Sequence, residues 1–491
     1  MHRPTAAPRK IPAYGPFGFA SSAKQRLSVL LYSPPVLSHH SFSRPMNPAM
    51  PREPESITIQ GGAPLFGKIS VAGAKNALSK QLVASLLTNE PCHFTNVPNI
   101  TEIHATLAML ESIGTVVKWT GPDTLTVHTA SLKSSQVSER YSGFNRIPVL
   151  MLGPLLHREK QVWVPMLGGC KIGGRPVDFH LGALEQMGAT ITDDDAGYMA
   201  AAEALKGAVI RLPYPSVGAT ENILMAATLA KGTTVIENAA VEPEIIDTIS
   251  FLVKMGASIL ADVDRRIIIR GVKSLHGASH ETIGDRIEAA SYAVAAVATN
   301  GRVTVKGVHI QHMLSFLHHL RQMGGDFLAE SEGITFFRKF DHLSAVHIET
   351  DVHPGFMTDW QQPMVVALTQ AQGTSVIHET VYENRFGYTD MLVDMGARIS
   401  LNTSCLGHKG CRFIDRDHPH SAIINGPTPL NPGHIVIPDL RAGFAYVIAG
   451  LLANGKTTIG GYKYLARGYA NVPEKLASLD VDLSLDYPAS I

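Results

Sequence analysis

The chain has 491 residues, 45% hydrophobic and 17% charged, with 42 basic against 42 acidic side chains. That length supports two or more cored domains, and the balanced charge gives no reason to expect a nucleic-acid partner. No apolar run approaches the roughly 18 residues of a membrane span, and four cysteines (Cys92, Cys170, Cys405, Cys411) make no disulfide framework, so a soluble protein of a reducing compartment is expected.

Residues 1–52 stand apart. They contain no Asp or Glu, carry Arg3, Arg9, Lys10, Lys24, Arg26, Arg44 and Arg52, and show no sustained apolar periodicity. Such a segment cannot bury enough apolar area to order itself. A disordered tail, or a start assigned upstream of Met46 or Met50, is expected rather than a transit peptide, because the prolines spoil the amphipathic helix that such a peptide needs.

From about Glu53 an internal repeat takes over. The ends of six amphipathic helices recur, at Leu110-Glu111-Ser112-Ile113-Gly114, Leu184-Glu185-Gln186-Met187-Gly188, Leu252-Val253-Lys254-Met255-Gly256, Leu320-Arg321-Gln322-Met323-Gly324, Leu392-Val393-Asp394-Met395-Gly396 and Leu476-Ala477-Ser478-Leu479-Asp480. Each glycine should end its helix in a left-handed cap and pass the chain to a strand. The intervals of 74, 68, 68, 72 and 84 residues mark a repeat, and the last copy lacks the glycine. Each unit opens with an alanine-rich helix, a short turn and a β-rich run, as in Leu224–Ile236 and Met364–Ile377. One unit therefore reads β-α-β-α-β-β, and six units suggest an α/β protein of two domains, three units each, with a small-molecule site between them.

Within the second unit, Gly168-Gly169-Cys170-Lys171-Ile172-Gly173-Gly174-Arg175 places one cysteine between two glycine pairs. The glycines favour a mobile loop, and Lys171 and Arg175 favour the reactive thiolate, although many cysteines are only small buried hydrophobes. Cys405 and Cys411 with His418 and His420 fit no standard zinc spacing, so no metal is expected, and no Walker loop or dinucleotide fingerprint is present, so no cofactor is expected either. His180 could be a core histidine or a ligand contact.

The repeats, together with Gly73-Ala74-Lys75-Asn76-Ala77, the cysteine loop, Ser216-Val217-Gly218-Ala219-Thr220, Glu242-Pro243-Glu244-Ile245, Asp285-Arg286-Ile287-Glu288, Thr358-Asp359, Glu383-Asn384-Arg385-Phe386, Asp439-Leu440-Arg441-Ala442 and Arg467-Gly468-Tyr469, closely resemble the UDP-N-acetylglucosamine enolpyruvyl transferases (1-carboxyvinyltransferases) from about Glu55 to Asp482. The resemblance implies the enolpyruvyl transferase fold, two inside-out α/β domains of three repeats each. Residues 75–283 would form one domain, and residues 53–74 with 284–491 the other. It implies transfer of the enolpyruvyl group of phosphoenolpyruvate to the 3-hydroxyl of UDP-N-acetylglucosamine with release of phosphate, in the cytoplasm, at the start of peptidoglycan precursor synthesis, by a monomer acting on small molecules. The alternatives are another acceptor, such as a uridine nucleotide or 3-phosphoshikimate, or a non-catalytic sugar-nucleotide-binding relative.

By the same resemblance Cys170 is the general acid, on a loop that closes over the substrates, and the target of the epoxide fosfomycin. Asp359 is the base for the acceptor hydroxyl, and Lys75 and Arg467 complete the catalytic set. Lys75, Arg175 and Arg467 face phosphoenolpyruvate, with Asn76 also binding it and Arg441 and Arg385 second in line, where the planar fork of arginine suits a phosphate and a carboxylate. Asn76, Arg146, Arg175, Pro176, Val177, Asp178, Phe179, Ser216, Val217, Gly218, Asp359 and Val381 hold the sugar nucleotide, with the Ser216 turn presenting a helix N-terminus to the diphosphate. The chain departs from the family at Thr101 and Tyr214, where lysines are usual, and this puts the diphosphate preference in question.

Overall fold

The computed structural model describes residues 53–168, 177–409, 411–414, 416–438 and 442–488. The expectations for residues 1–52 and for Cys170, Arg175, Pro176 and Arg441 fall outside these.

The helices that open the units are largely buried all round, though Lys75–Ala84 carries several polar side chains. Every residue of Ile147–Leu156 and of Arg286–Ala298 is buried. In the earlier half Lys75–Ala84, Ile147–Leu156 and Val217–Ala227 pack together. In the later half Arg286–Ala298, Gln361–Leu368 and Ala442–Leu452 do the same. Small residues allow the close approach: a Cβ added at Gly153 would stand 2.8 Å from that of Ala226 on the facing helix. The buried apolar side chains gather accordingly into two clusters, one from Leu78 to Leu275 joined by Ala470, the other from Ile57 to Val71 and from Ala289 to Leu479.

Sheets lie outside these helices; four of the six share one four-stranded topology, while the described residues form three strands in the second unit and five in the fifth. In the third unit the strand order is Ser258–Asp262, Arg266–Arg270, Thr233–Glu237, Val209–Arg211, with Val235 opposite Ile268 antiparallel and opposite Val209 parallel. The first and fourth units repeat that order by exchanging their opening strands. Phe66–Ser70 runs parallel to Arg302–Lys306, placing Gly67 opposite Val303, while Ser279–Glu281 runs parallel to Cys92–Thr95, placing His280 opposite Phe94. Ser56–Gly61 completes the last sheet between Gly455–Gly460 and Leu483–Asp486. The chain therefore passes twice between the two cores.

The caps behave as the repeat requires. Gly114, Gly188, Gly256, Gly324 and Gly396 all have φ between +97° and +115°. In the last copy Asp480 takes the same left-handed place at φ +61°. Behind it the N–H of Val481 still reaches the carbonyl of Leu476 at 3.2 Å, as that of Ala257 reaches Leu252 at 3.0 Å. The missing glycine leaves the cap intact because aspartate is among the residues that tolerate this region.

Candidate active site

Glu102 lies in the first turn of the helix Thr101–Ser112 and is 8% exposed. Its Oε1 accepts from Asn145 Nδ2 at 2.9 Å, and its Oε2 accepts from Arg467 Nε at 2.6 Å. Arg467 closes the short helix Tyr462–Ala466 of the last unit, donates from Nη2 to the Phe144 carbonyl at 2.9 Å and lays its guanidinium 4.9 Å from the Phe144 ring centre. The later half is thereby fastened to the earlier one through a cation. Burial alone would raise the pKa of Glu102, but the charges of Lys75 and Arg467 and the hydrogen bonds from Arg467 and Asn145 outweigh it and hold the carboxyl below its usual range. Lys75 begins the helix Lys75–Ala84, with Asn76 beside it, and Arg146 caps Ile147–Leu156. The Asn145 carbonyl accepts from the N–H of Gly168 at 3.0 Å. A Cβ at Gly168 would lie 1.7 Å from the Gly143 oxygen, so the foot of the cysteine segment admits only glycine.

The residues expected to hold the acceptor form a second, continuous run. Val177 caps the helix Asp178–Gln186, which carries Phe179 in its first turn. The next residue, His180, is 5% exposed, with its Cε1 2.9 Å from where a Gly218 Cβ would stand, so this helix and the Ser216 turn touch. Ser216 caps Val217–Ala227 by accepting from the Ala219 N–H at 3.3 Å, and its own N–H donates to the Tyr214 carbonyl at 2.7 Å. Over the Tyr214 ring, 4.9 Å from its centre, lies the guanidinium of Arg412, which also donates to the Val381 carbonyl. The N–H groups of Val381 and Tyr382 donate to Oε1 of the buried Glu379 at 2.8 and 3.1 Å. Its Oε2 accepts from Thr358 Oγ1 at 2.9 Å and from Gln361 Nε2 at 3.1 Å. Burial pushes the Glu379 pKa up against the opposing pull of Arg385 and these donors.

Asp359 follows Thr358 directly. Its Oδ1 is paired with Nη2 of Arg385, a residue 2% exposed. The Gln362 amide, with its oxygen turned to that guanidinium, accepts at 2.7 and 3.0 Å. Arg385 therefore orients the aspartate from within the protein.

The structure thus brings Lys75 and Arg467 to act on Glu102, with Asn76 adjoining Lys75 and Arg146 adjoining Asn145. A run of contacts leads from the Phe179 helix and the Ser216 turn through Tyr214, Arg412, Val381 and Glu379 to Thr358, Asp359 and Arg385. Cys170, Arg175, Pro176 and Arg441 lie outside the described residues. Thr101 donates to a Glu53 oxygen at 2.5 Å. Tyr214 carries Arg412 against its ring, so a cation absent from the local sequence is supplied by a segment 198 positions away. Glu102, Asn145, Glu379 and Arg412 escaped the sequence reading. A buried first-turn glutamate looks like an ordinary helix-start acid, and only its distant partners mark it. Two cavities, of 580 and 300 Å³, are lined by Arg211, Pro213, Glu237 and Asp264, beside Tyr214, and by Val241, His312 and His353.

The UDP-N-acetylglucosamine 1-carboxyvinyltransferase of Protochlamydia amoebophila is 52% identical over 436 residues, covering 87% of this chain and 94% of that protein. This chain belongs to the enolpyruvyl transferase family. The family profile described as EPSP synthase (3-phosphoshikimate 1-carboxyvinyltransferase) matches residues 59–476. The enzyme of the same name from Chlamydia muridarum is 49% identical, covering 84% of this chain and 95% of its own length. The enolpyruvyl transferase NikO from Streptomyces tendae superposes with a TM-score of 0.77 at 23% identity, covering 89% of this chain and all of its own. An EPSP synthase from Acinetobacter baumannii reaches 0.67 at 20% identity, with 87% and 99% covered. This member of the family is a transferase with the enolpyruvyl transferase fold, six β-α-β-α-β-β units with helices inside and sheets outside.

Proposed function

We propose that the protein transfers the enolpyruvyl group of phosphoenolpyruvate to the 3-hydroxyl of UDP-N-acetylglucosamine and releases phosphate, as the first committed step of peptidoglycan precursor synthesis, in the cytoplasm. The observation that carries this reading is the 52% identity across nearly the whole of an enzyme bearing that name. By way of the pathway the protein would serve cell-wall growth, cell shape and division. The two apolar cores are taken as its two domains, residues 75–283 and residues 53–74 with 284–491, and the protein as a monomer.

In this reading Lys75 and Arg467 hold the anionic phosphoenolpyruvate with Arg175 and Arg441, and Glu102 fixes the direction in which Arg467 presents its fork. Asp359, aimed by Arg385, takes the proton of the attacking hydroxyl, because an alcohol is a poor nucleophile until that proton has an acceptor. Cys170 delivers a proton to the methylene carbon, and elimination of phosphate from the tetrahedral adduct, with loss of a proton from the new methyl group, forms the enol ether. The Ser216 helix start and Arg412 meet the diphosphate, and Val177 to Phe179 the uracil.

Purified protein should release inorganic phosphate only when phosphoenolpyruvate and UDP-N-acetylglucosamine are both present. Release with UMP or 3-phosphoshikimate in its place would overturn the acceptor. Peptide mass mapping after fosfomycin should find the adduct on Cys170, formed faster with the sugar nucleotide bound. Cys92 should stay unmodified, since burial pushes its thiol up to about 11. A free Cys170 in an enzyme that the drug inactivates would remove that residue from the mechanism.

A further inference from the structure

Between the strands Arg398–Asn402 and Ser421–Gly426 the chain makes an excursion that contains Cys405 and Cys411 and returns through His420. The antiparallel neighbour of Ser421 is His378, the last residue of the strand Ala371–His378, and the N–H of Glu379 donates to the His420 carbonyl at 2.8 Å. Sheet register therefore sets two histidines side by side at the strand ends, and the excursion folds its two cysteines over them. One ligand atom from each of His378, Cys405, Cys411 and His420 lies within 4.8 Å of every other. Both histidines are 0% exposed, Cys411 is 8% exposed, and Cys405 is half-buried.

Hydrogen bonding accounts for only part of this cluster: the Cys405 thiol lies within reach of His420 Nε2, and Cys411 Sγ accepts from the Phe413 N–H at 3.3 Å. His420 Nδ1 faces the His418 carbonyl at 2.7 Å, which can only accept, so the proton is on Nδ1 and Nε2 carries a lone pair. That lone pair points at Cys405 Sγ, 3.3 Å away. His378 has no hydrogen-bond partner at either ring nitrogen, and the nearest carboxylate oxygen, on Glu349, stands 3.8 Å from Nδ1. An imidazole buried in that way is a net cost to the fold. The excursion is nevertheless pressed onto it. A Cβ at Gly407 would stand 2.1 Å from His378 Nδ1, and the Glu349 carboxylate accepts from the N–H groups of His408 and Lys409 at 2.6 and 2.9 Å.

We propose that His378, Cys405, Cys411 and His420 form a four-coordinate structural zinc site that closes this excursion onto the sheet. Two thiolates and two neutral imidazoles are a soft set that suits zinc, and they balance its charge. Tetrahedral bonds of about 2.3 Å to sulfur and about 2.0 Å to nitrogen put neighbouring ligand atoms about 3.3 to 3.8 Å apart, so the observed separations need only a small contraction. The His418 carbonyl and the Glu349 carboxylate stand where outer partners of metal-bound histidines stand. With four protein ligands the ion has no open position, so it holds structure and does not enter the transfer reaction. Binding replaces two thiol protons, which leave to solvent.

The test is metal quantification on tag-free full-length protein, incubated with equimolar zinc and gel-filtered. About one zinc ion per chain is expected, falling to background in the Cys405→Ser/Cys411→Ser double variant and unchanged in Cys92→Ser. Should the double variant fail to fold, cobalt-substituted wild-type protein keeps the question open to measurement, since tetrahedral thiolate coordination gives intense visible bands that His378→Ala should abolish or shift. Wild-type protein without stoichiometric zinc, zinc retained in the double variant, cobalt without those bands, or a Cys405–Cys411 disulfide in freshly purified protein would each overturn the proposal.

Discussion

The two groupings at the candidate site are built on opposite principles. Around Glu102 a buried acid is the fixed point, and the cations Lys75 and Arg467 are aimed by it. Around Asp359 a buried cation is the fixed point: Arg385, 1% exposed in its side chain, holds an aspartate that is 14% exposed. In each case the deeply buried member carries the charge opposite to the one offered outward. Under the proposed function the difference would suit the two substrates, with one grouping presenting positive charge to an anion and the other a carboxylate to a hydroxyl. An outward group held by a buried partner also loses little freedom when it binds.

The largest effect should come from Asp359. Were it a cleft carboxylate with no buried partner, its removal would cost the core little. Arg385 makes Asp359→Ala expensive, because the buried guanidinium loses its paired carboxylate, and a stability loss on the order of 3 kcal/mol is expected beside lost turnover. Asp359→Asn keeps an acceptor for Arg385 and separates the two consequences. We expect kcat to fall by roughly a thousandfold with the thermal midpoint nearly unchanged. If that variant keeps its rate, the aspartate is structural and the second grouping is not the base.

A smaller change is expected at Glu102. Glu102→Gln keeps the shape but removes the charge that aims Arg467, so kcat should fall about tenfold while KM for phosphoenolpyruvate drops, the cations being less neutralised. A raised KM with unchanged kcat would show that Glu102 only packs, and the contrast between the groupings would fail.

Much of the scaffold was legible in the chain, because its signals are local. A glycine after five of the six amphipathic helices repeats at intervals near 70 residues, and the fold places all five at positive φ. The strand exchange between the first and fourth units was not legible from the residues themselves, since Phe66–Ser70 is no different in composition from a strand that stays at home. The site divides in the same way. Lys75, Asp359 and Arg467 stand in short motifs that a family resemblance can reach. Arg385, the partner of Asp359, stands in one too, but Glu102 does not, and Arg467 meets it across 365 positions. The gathering of Cys405, Cys411 and His420 was masked for a related reason, since the fourth member, His378, comes from a neighbouring strand and the spacing of the rest matches no zinc pattern.

The smallest effect, and the sharpest on whether buried acids are tuned by their surroundings, concerns Glu221 on the helix Val217–Ala227. Neither of its oxygens has a hydrogen-bond partner, and Lys80 Nζ stands 3.8 Å away. Burial first, and then the nearby Glu242 and Glu244, push its pKa from 4.5 to about 7 against the pull of Lys80. Below pH 4.5 the folded and unfolded chains both hold the proton, and nothing is lost. Between pH 4.5 and 7 the unfolded chain releases it while the folded one keeps it, so the folded state binds more protons and stability falls as pH rises. Above pH 7 the whole cost remains. Glu102 and Glu244 shift downward and slope the other way, so the measurement is the difference between wild type and Glu221→Gln across pH. The variant should be the more stable by on the order of 2 kcal/mol at pH 8, with the advantage fading toward pH 5. An advantage that is flat with pH would mean that the glutamate is ionised throughout and that Lys80, despite its distance, holds the charge.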